Sequence, residues 1–207
     1  MMTSIAVVAG STREGSYNRA LAELAAASLA TQGAAVTRLD LGAFDLPLYS
    51  AAIEATAFPP DAARLKALFV QQDGLLFVSP EYNGSLPPLL KNAIDWASRP
   101  SGDEGLVALT AYRGKAAAIM AASISPFGGL RGLMHLRQIL STVQMLVIPE
   151  QVVVPNAHAA FAEDGRLKDA LPASLVDQTA ARLIAVAKAL SAQDAIPVGS
   201  SSRPSPA

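Results

Sequence analysis

The chain predicts an α/β fold, a doubly wound sheet of five parallel strands with helices on both faces. Three observations predict it. Short apolar runs of strand length alternate with helical patterns along the 207 residues. The central runs are continuously apolar rather than alternating, as in strands buried on both faces. Polar, glycine-bearing segments follow these runs, at the edge where open α/β sheets bind ligands.

The elements follow in order. Ile5 to Ala9 reads as the first strand and leads, through a polar loop, to a helix over Asn18 to Thr31. In that helix Leu21, Leu24, Ser28 and Leu29 share a face, alanines favour the helical state, and Gly33 lies just beyond as a stop. Ala35 to Leu39 is the second strand and Asp61 to Gln71 the next helix. Leu75 to Val78, after Gly74, is the third strand. Pro87-Pro88 then opens a helix to Ser98, with Leu89, Leu90, Ala93, Ile94 and Ala97 at helical spacing. Ala116 to Ala121 is the fourth strand, Leu130 to Thr142 a helix, Met145 to Ile148 the fifth strand, and Leu175 to Leu190 the last helix. A six-stranded dinucleotide-binding sheet would need a longer chain or fewer loops, so the flavodoxin-like strand order 2-1-3-4-5 fits best. Residues 1–191 are expected to form one domain. Residues 192–207, ending in the Pro-rich run from Ile196 to Ala207, are expected to be a disordered tail with too little apolar surface to order itself.

Composition excludes several functions. A formal net charge of -1, with sixteen scattered Lys and Arg, gives no case for nucleic acid or an anionic membrane. The start lacks a basic segment before an apolar core, and no apolar run reaches the roughly 20 residues of a membrane span, so cytoplasmic residence is expected. The absence of cysteine removes disulfides, thiolate catalysis and iron–sulfur ligation, and leaves any redox chemistry to an organic cofactor. His135 and His158 belong to no cluster at metal spacing and to no Ser/His/Asp arrangement, so neither a metal site nor a hydrolase is expected.

Three segments carry chemistry. Gly10-Ser11-Thr12-Arg13-Glu14-Gly15-Ser16-Tyr17-Asn18 lies between the first strand and the first helix. Unpaired amides at a helix start attract anions, and Ser11, Thr12, Ser16 and Asn18 add neutral donors around Arg13. The glycine spacing imitates a nucleoside-triphosphate loop, but Ser16 and Tyr17 stand where Lys and Ser/Thr are required, and no GxGxxG is present. A cradle for one terminal phosphate remains, beside the plainer reading of a helix cap. Pro80-Glu81-Tyr82-Asn83-Gly84-Ser85 follows the third strand. Tyr82 offers an aromatic surface, and the N–H groups from Tyr82 to Ser85 suit the polar edge of a flat heterocycle; the alternative is a plain Asn-Gly turn. Ser123-Ile124-Ser125-Pro126-Phe127-Gly128-Gly129-Leu130-Arg131 follows the fourth strand, where the two glycines permit close backbone approach. Arg131 has three open partners there: a cofactor, a substrate or a neighbouring carboxylate.

Taken in order, Gly10-Ser11-Thr12-Arg13 with Ser16 and Asn18, Pro80 to Ser85, Lys91-Asn92-Ala93-Ile94-Asp95-Trp96 and Gly128-Gly129-Leu130-Arg131 resemble the NADPH-dependent FMN reductases over about Ile5 to Glu150. Asp45-Leu46-Pro47-Leu48-Tyr49 resembles the family's segment after the second strand. The resemblance implies a flavodoxin-like reductase of flavins, quinones, azo compounds or metal oxyanions, with FMN as cofactor and NADPH, or NADH, as hydride donor. It implies phosphate contacts at Ser11, Arg13, Ser16 and Asn18, and flavin-ring contacts at Pro80, Glu81, Tyr82, Asn83, Gly84 and Ser85. Ser123 would form the other wall, with Phe127, Gly128, Gly129 and Arg131 facing the substrate. No protein side chain acts as a catalytic nucleophile in such a flavin-centred reaction, and a homodimer or homotetramer is implied. Ser125-Pro126-Phe127 departs from the more glycine-rich run of many relatives and leaves the small-molecule acceptor open. An FMN electron carrier without its own NAD(P)H activity is the alternative. A nearly neutral chain disfavours it, since carriers often dock through an acidic face.

Overall fold

The computed structural model describes residues 2–105 and 107–194. Five strands, β1 (Ser4–Ala9), β2 (Ala35–Asp40), β3 (Gly74–Val78), β4 (Ala116–Ala122) and β5 (Leu146–Val154), form one parallel sheet in the order β2-β1-β3-β4-β5. The helices are α1 (Tyr17–Thr31), α2 (Ala51–Thr56), α3 (Pro60–Val70), α4 (Pro88–Ser98), α5 (Leu130–Thr142), α6 (Ala157–Ala160) and α7 (Ala170–Asp194). Every residue of β3 and β4 is buried, as expected of central strands covered on both faces.

Alternate residues of each strand supply two cores. Val7, Leu76 and Met120 pack with Leu21, Ala25, Leu29, Val176 and Leu183 under α1 and α7. Val8, Phe77 and Ile119 pack with Leu65, Phe69, Leu90, Ile94 and Leu136 under α3, α4 and α5. The chain therefore winds one way from β1 to β2 and the other way from β3 onward, so a crevice opens between the ends of β1 and β3.

The Lys91 to Trp96 segment has a scaffold role that its sequence does not reveal. Asn92 Oδ1 accepts the Tyr49 N–H (2.8 Å), and Asn92 Nδ2 donates to the Pro47 carbonyl (3.0 Å). Trp96 Nε1 donates to the same carbonyl (2.7 Å), and its ring meets Tyr49 and Phe58 edge-on. Lys91 and Asp95 form an ion pair one turn apart on α4. These contacts fasten the stretch after β2 onto α4. Burial works against the charge of Glu54, but hydrogen bonds from Tyr49 and Arg99 outweigh it and hold its carboxyl below the usual range.

The expected elements are present, with corrections at three places. The fifth strand starts at Leu146 and runs to Val154, rather than covering Met145 to Ile148. Its pairing jumps from Ala117↔Val147 to Ile119↔Gln151, so a bulge containing Pro149 interrupts the apolar run that marked the strand. An edge strand tolerates that proline, and Arg137 satisfies the freed Val147 and Ile148 carbonyls at 3.2 and 2.8 Å. The last helix is longer than its apolar pattern, beginning at Ala170 and continuing past Ser191 to Asp194. Most of the expected tail, 195–207, lies outside the described residues. The short helices α2 and α6 and a 3-10 turn at Leu41–Ala43 were not anticipated.

Candidate active site

The three segments singled out from the sequence follow β1, β3 and β4 and so meet at the carboxyl edge of the sheet. In the first, Ser11 and Ser16 are buried while Thr12, Arg13, Glu14 and Gly15 are exposed. Ser16 stands at the N-cap of α1, yet its side chain caps nothing. Among the described residues, the main-chain N–H groups from Ser11 to Gly15 find no main-chain acceptor, and Arg13 enters no ion pair. A helix start with unengaged amides, two buried serines and a free guanidinium has the chemistry of a phosphate site. Asn18 is engaged otherwise. Its Nδ2 donates to the Ala122 carbonyl (2.8 Å) and its Oδ1 accepts the Ala122 N–H (2.9 Å), which pins the start of α1 to the end of β4.

In the second segment the backbone forms a tight hairpin. Tyr82 and Ser85 exchange both main-chain hydrogen bonds, at 2.8 and 3.0 Å, around Asn83 and Gly84, whose φ values are 51° and 80°. Two successive positive φ angles are the signature of a type I′ turn, for which Asn-Gly is the preferred pair. This corrects the expectation that all four N–H groups from Tyr82 to Ser85 face a ligand. The hairpin itself consumes those of Tyr82 and Ser85, and among the described residues those of Asn83 and Gly84 find no acceptor. The Tyr82 ring is half exposed, and Pro80 is buried against the first loop, where a Cβ on Gly10 would lie 3.4 Å from its Cδ. The Glu81 side chain is only 6% exposed and turns toward α5, pairing with Arg131 and accepting the Gly132 N–H at 3.2 Å. Of the three partners open to Arg131, the neighbouring carboxylate is the one it has.

In the third segment, Ser123 Oγ accepts the Ser125 N–H and Ser125 Oγ accepts the Phe127 N–H, each at 3.2 Å. Gly128 and Gly129 have φ of 60° and 94°. A Cβ on Gly128 would collide with Val153 and stand 2.8 Å from the Pro155 nitrogen, and one on Gly129 would lie 2.7 Å from Ala121 Cβ. Only glycine lets this loop lie flat on the sheet. Phe127 is left exposed beneath the Arg131 guanidinium, 5.2 Å from its ring centre.

One residue escaped the sequence analysis. His135, which formed no cluster in the sequence, places Nδ1 3.0 Å from Ser85 Oγ. Its position four residues after Arg131 puts both on the face of α5 that meets the hairpin. That spacing is visible in the sequence, but the hairpin's presence there is a property of the fold.

The donor set fits a phosphomonoester at the first loop and one polar edge of a planar ring at the second. Among the described residues no cluster of three His, Asp or Glu could hold a metal, and no helix is long and apolar enough to cross a membrane. A groove of about 700 Å³ opens between α1 and α7, lined by Leu24, Leu167, Val176 and Ala181 among others. None of its lining residues belongs to the three loops.

The profile of a family described as NADPH-dependent FMN reductase matches residues 3–159. An NAD(P)H-dependent FMN reductase of Pseudomonas aeruginosa is 40% identical over 173 residues, covering 83% of this chain and 88% of that protein. A 2-hydroxy-1,4-benzoquinone reductase of a Burkholderia species is 39% identical, with 74% and 79% covered. Among solved structures, the flavoenzyme NAD(P)H:(acceptor) oxidoreductase of Paracoccus denitrificans superposes with a TM-score of 0.77 at 29% identity, covering 91% of this chain and 98% of that one.

Proposed function

Because the chain belongs to the NADPH-dependent FMN reductase family, we propose that it is an NAD(P)H-dependent oxidoreductase holding FMN in the crevice between β1 and β3 and reducing a small quinone. The observation that carries this reading is the meeting of two complementary donor sets at one sheet edge. The Ser11 to Gly15 amides with Arg13 suit a phosphate, and the Asn83 and Gly84 amides suit the edge of a planar ring. FMN, when bound, supplies the site that takes up hydride from the nicotinamide and releases it to the acceptor.

The chain's own residues bind and orient. Arg13, Ser11 and Ser16 hold the phosphate, while Asn18 sets the start of α1 through Ala122. Tyr82 would offer its half-exposed ring to the flavin, and Pro80, buried against the first loop, would support it. Glu81 fixes the hairpin to α5 through Arg131 and Gly132, so its carboxylate is a strut of the ring site. Ser123 and the flat Gly128-Gly129 turn form the opposite wall. Phe127, exposed beside Arg131, faces the incoming planar acceptor. NAD(P)H leaves before the acceptor enters, giving ping-pong kinetics. Free flavins, azo compounds and metal oxyanions are further acceptors of the same site. The protein acts as a homodimer or homotetramer in the cytoplasm, where the NADPH supply is found.

The test is an anaerobic absorbance spectrum of the FMN-loaded protein before and after NADPH. Rapid bleaching of the flavin band, restored by a quinone, is expected. Slow bleaching with both NADPH and NADH, relieved only by a separate reductase, would overturn the reading in favour of an electron carrier.

A further inference from the structure

We propose that His135 delivers, through Ser85, the proton that a quinone requires in addition to hydride. The inference rests on the reductase reading above. His135 Nδ1 lies 3.0 Å from Ser85 Oγ, and Ser85 closes the hairpin whose Asn83 and Gly84 amides, on that reading, would meet the edge of the ring. The pair is held in place, because α5 grips the same hairpin one turn earlier through Arg131 and the Gly132 N–H, both bound to Glu81. His135 is exposed, so its ring exchanges protons with water directly. Arg131, four residues earlier on its helix, and Glu81 on the hairpin side pair with each other.

Reduction of a quinone to a hydroquinone takes two electrons and two protons. Hydride from the cofactor carries both electrons and one hydrogen nucleus, leaving one quinone oxygen negative and short of a proton. Ser85 O–H gives its hydrogen to that oxygen, the imidazolium Nδ1–H restores the hydroxyl, and the neutral imidazole then takes a proton from solvent. Histidine is the side chain suited to such a cycle near neutral pH. Hydride donation by NAD(P)H needs no such proton, and a one-electron acceptor such as ferricyanide takes electrons alone. His135 is therefore a relay residue for one half of the cycle only.

Stopped-flow measurements on FMN-loaded His135→Asn protein separate the halves. Oxidation by 1,4-benzoquinone should slow about 100-fold, the lower end of what a positioned acid contributes, and should lose the pH dependence that proton delivery imposes on the wild type. Reduction by NADPH and oxidation by ferricyanide should stay within about twofold of wild type, and His135→Gln should behave alike if the Asn variant folds poorly. In the flavin-free protein, Ser85→Ala should shift the imidazole nitrogen resonances of His135. An unchanged benzoquinone rate and pH profile would overturn the proposal. So would equal slowing of both half-reactions with weakened FMN binding, which would make His135 a strut. Failure of NADPH to reduce the wild-type flavin would instead remove the reductase reading, and this inference with it.

Discussion

Asn18 and Ala122, 104 residues apart, exchange two hydrogen bonds through one carboxamide, at 2.8 and 2.9 Å, and so lock the first turn of α1 to the end of β4. The partners are buried main-chain groups that have no water to turn to when the side chain is lost. Asn18→Ala should therefore destabilise the protein by about 1 to 3 kcal/mol, the worth of two neutral hydrogen bonds. Asn18→Asp should cost more, since a carboxylate keeps the bond from the Ala122 N–H but faces the Ala122 carbonyl. Urea denaturation of the flavin-free variants measures both, and unchanged midpoints would show that the lock carries no weight.

The first loop should make the terminal phosphate decisive. FMN should bind more tightly than riboflavin or FAD, and Arg13→Ala should weaken FMN binding by about 10- to 100-fold, the loss of about 1.5 to 3 kcal/mol expected for a hydrogen bond to a charged group. Fluorescence titration reads the order. Equal affinity for riboflavin would end the phosphate assignment. Unchanged FMN affinity with a lowered flavin-free melting temperature would make Arg13 structural.

Gly128 and Gly84 both have positive φ, but only one is crowded. Gly84→Ala meets nothing within 4 Å, so it should cost no more than the left-handed backbone itself, about 1 to 2 kcal/mol. Gly128→Ala adds the collision with Val153 and Pro155, which raises the loss to about 2 to 5 kcal/mol. Comparison of denaturation midpoints tests the order, and a larger loss at Gly84 would contradict the packing described for the third loop.

Lys115 donates to the last carbonyls of α3, at Phe69 and Val70, and burial lowers its pKa to about 8 from 10.5, with Asp73 opposing the shift. Between those values the unfolded chain holds a proton that the folded chain has released, so stability rises with pH there. The contribution is fully present above 10.5 and is lost as pH falls through about 8. The stability of the wild type minus that of Lys115→Met should accordingly climb across this window and be flat below it. A difference that is constant with pH would show that the amine titrates alike in both states.

The strands were legible because a parallel sheet covered on both faces requires unbroken apolar runs, as Leu75 to Val78 and Ala116 to Ala121 provide. Where a run is interrupted the pattern fails: Pro149 hid the second half of β5 behind a bulge that Arg137 stabilises from another helix. The loops were legible from glycine, serine and the Asn-Gly pair, whose local chemistry dictates turns. The division of labour within them was not. Whether Glu81 faces a ligand or Arg131 depends on a contact spanning 50 residues, and the same holds for Ser85 and His135. Asn92 and Trp96 likewise show their purpose only once Pro47 has been folded onto them.

That docking has a spectroscopic consequence. Trp96 is the chain's only tryptophan, and it is fully buried with its indole N–H held by the Pro47 carbonyl and its ring wedged against Tyr49 and Phe58. Its emission reports on how the stretch after β2 is seated against α4, not on the chain as a whole. If that stretch lifts before the sheet melts, the fluorescence transition will precede the one seen by circular dichroism, and a two-state treatment of either curve will misjudge the stability of this protein.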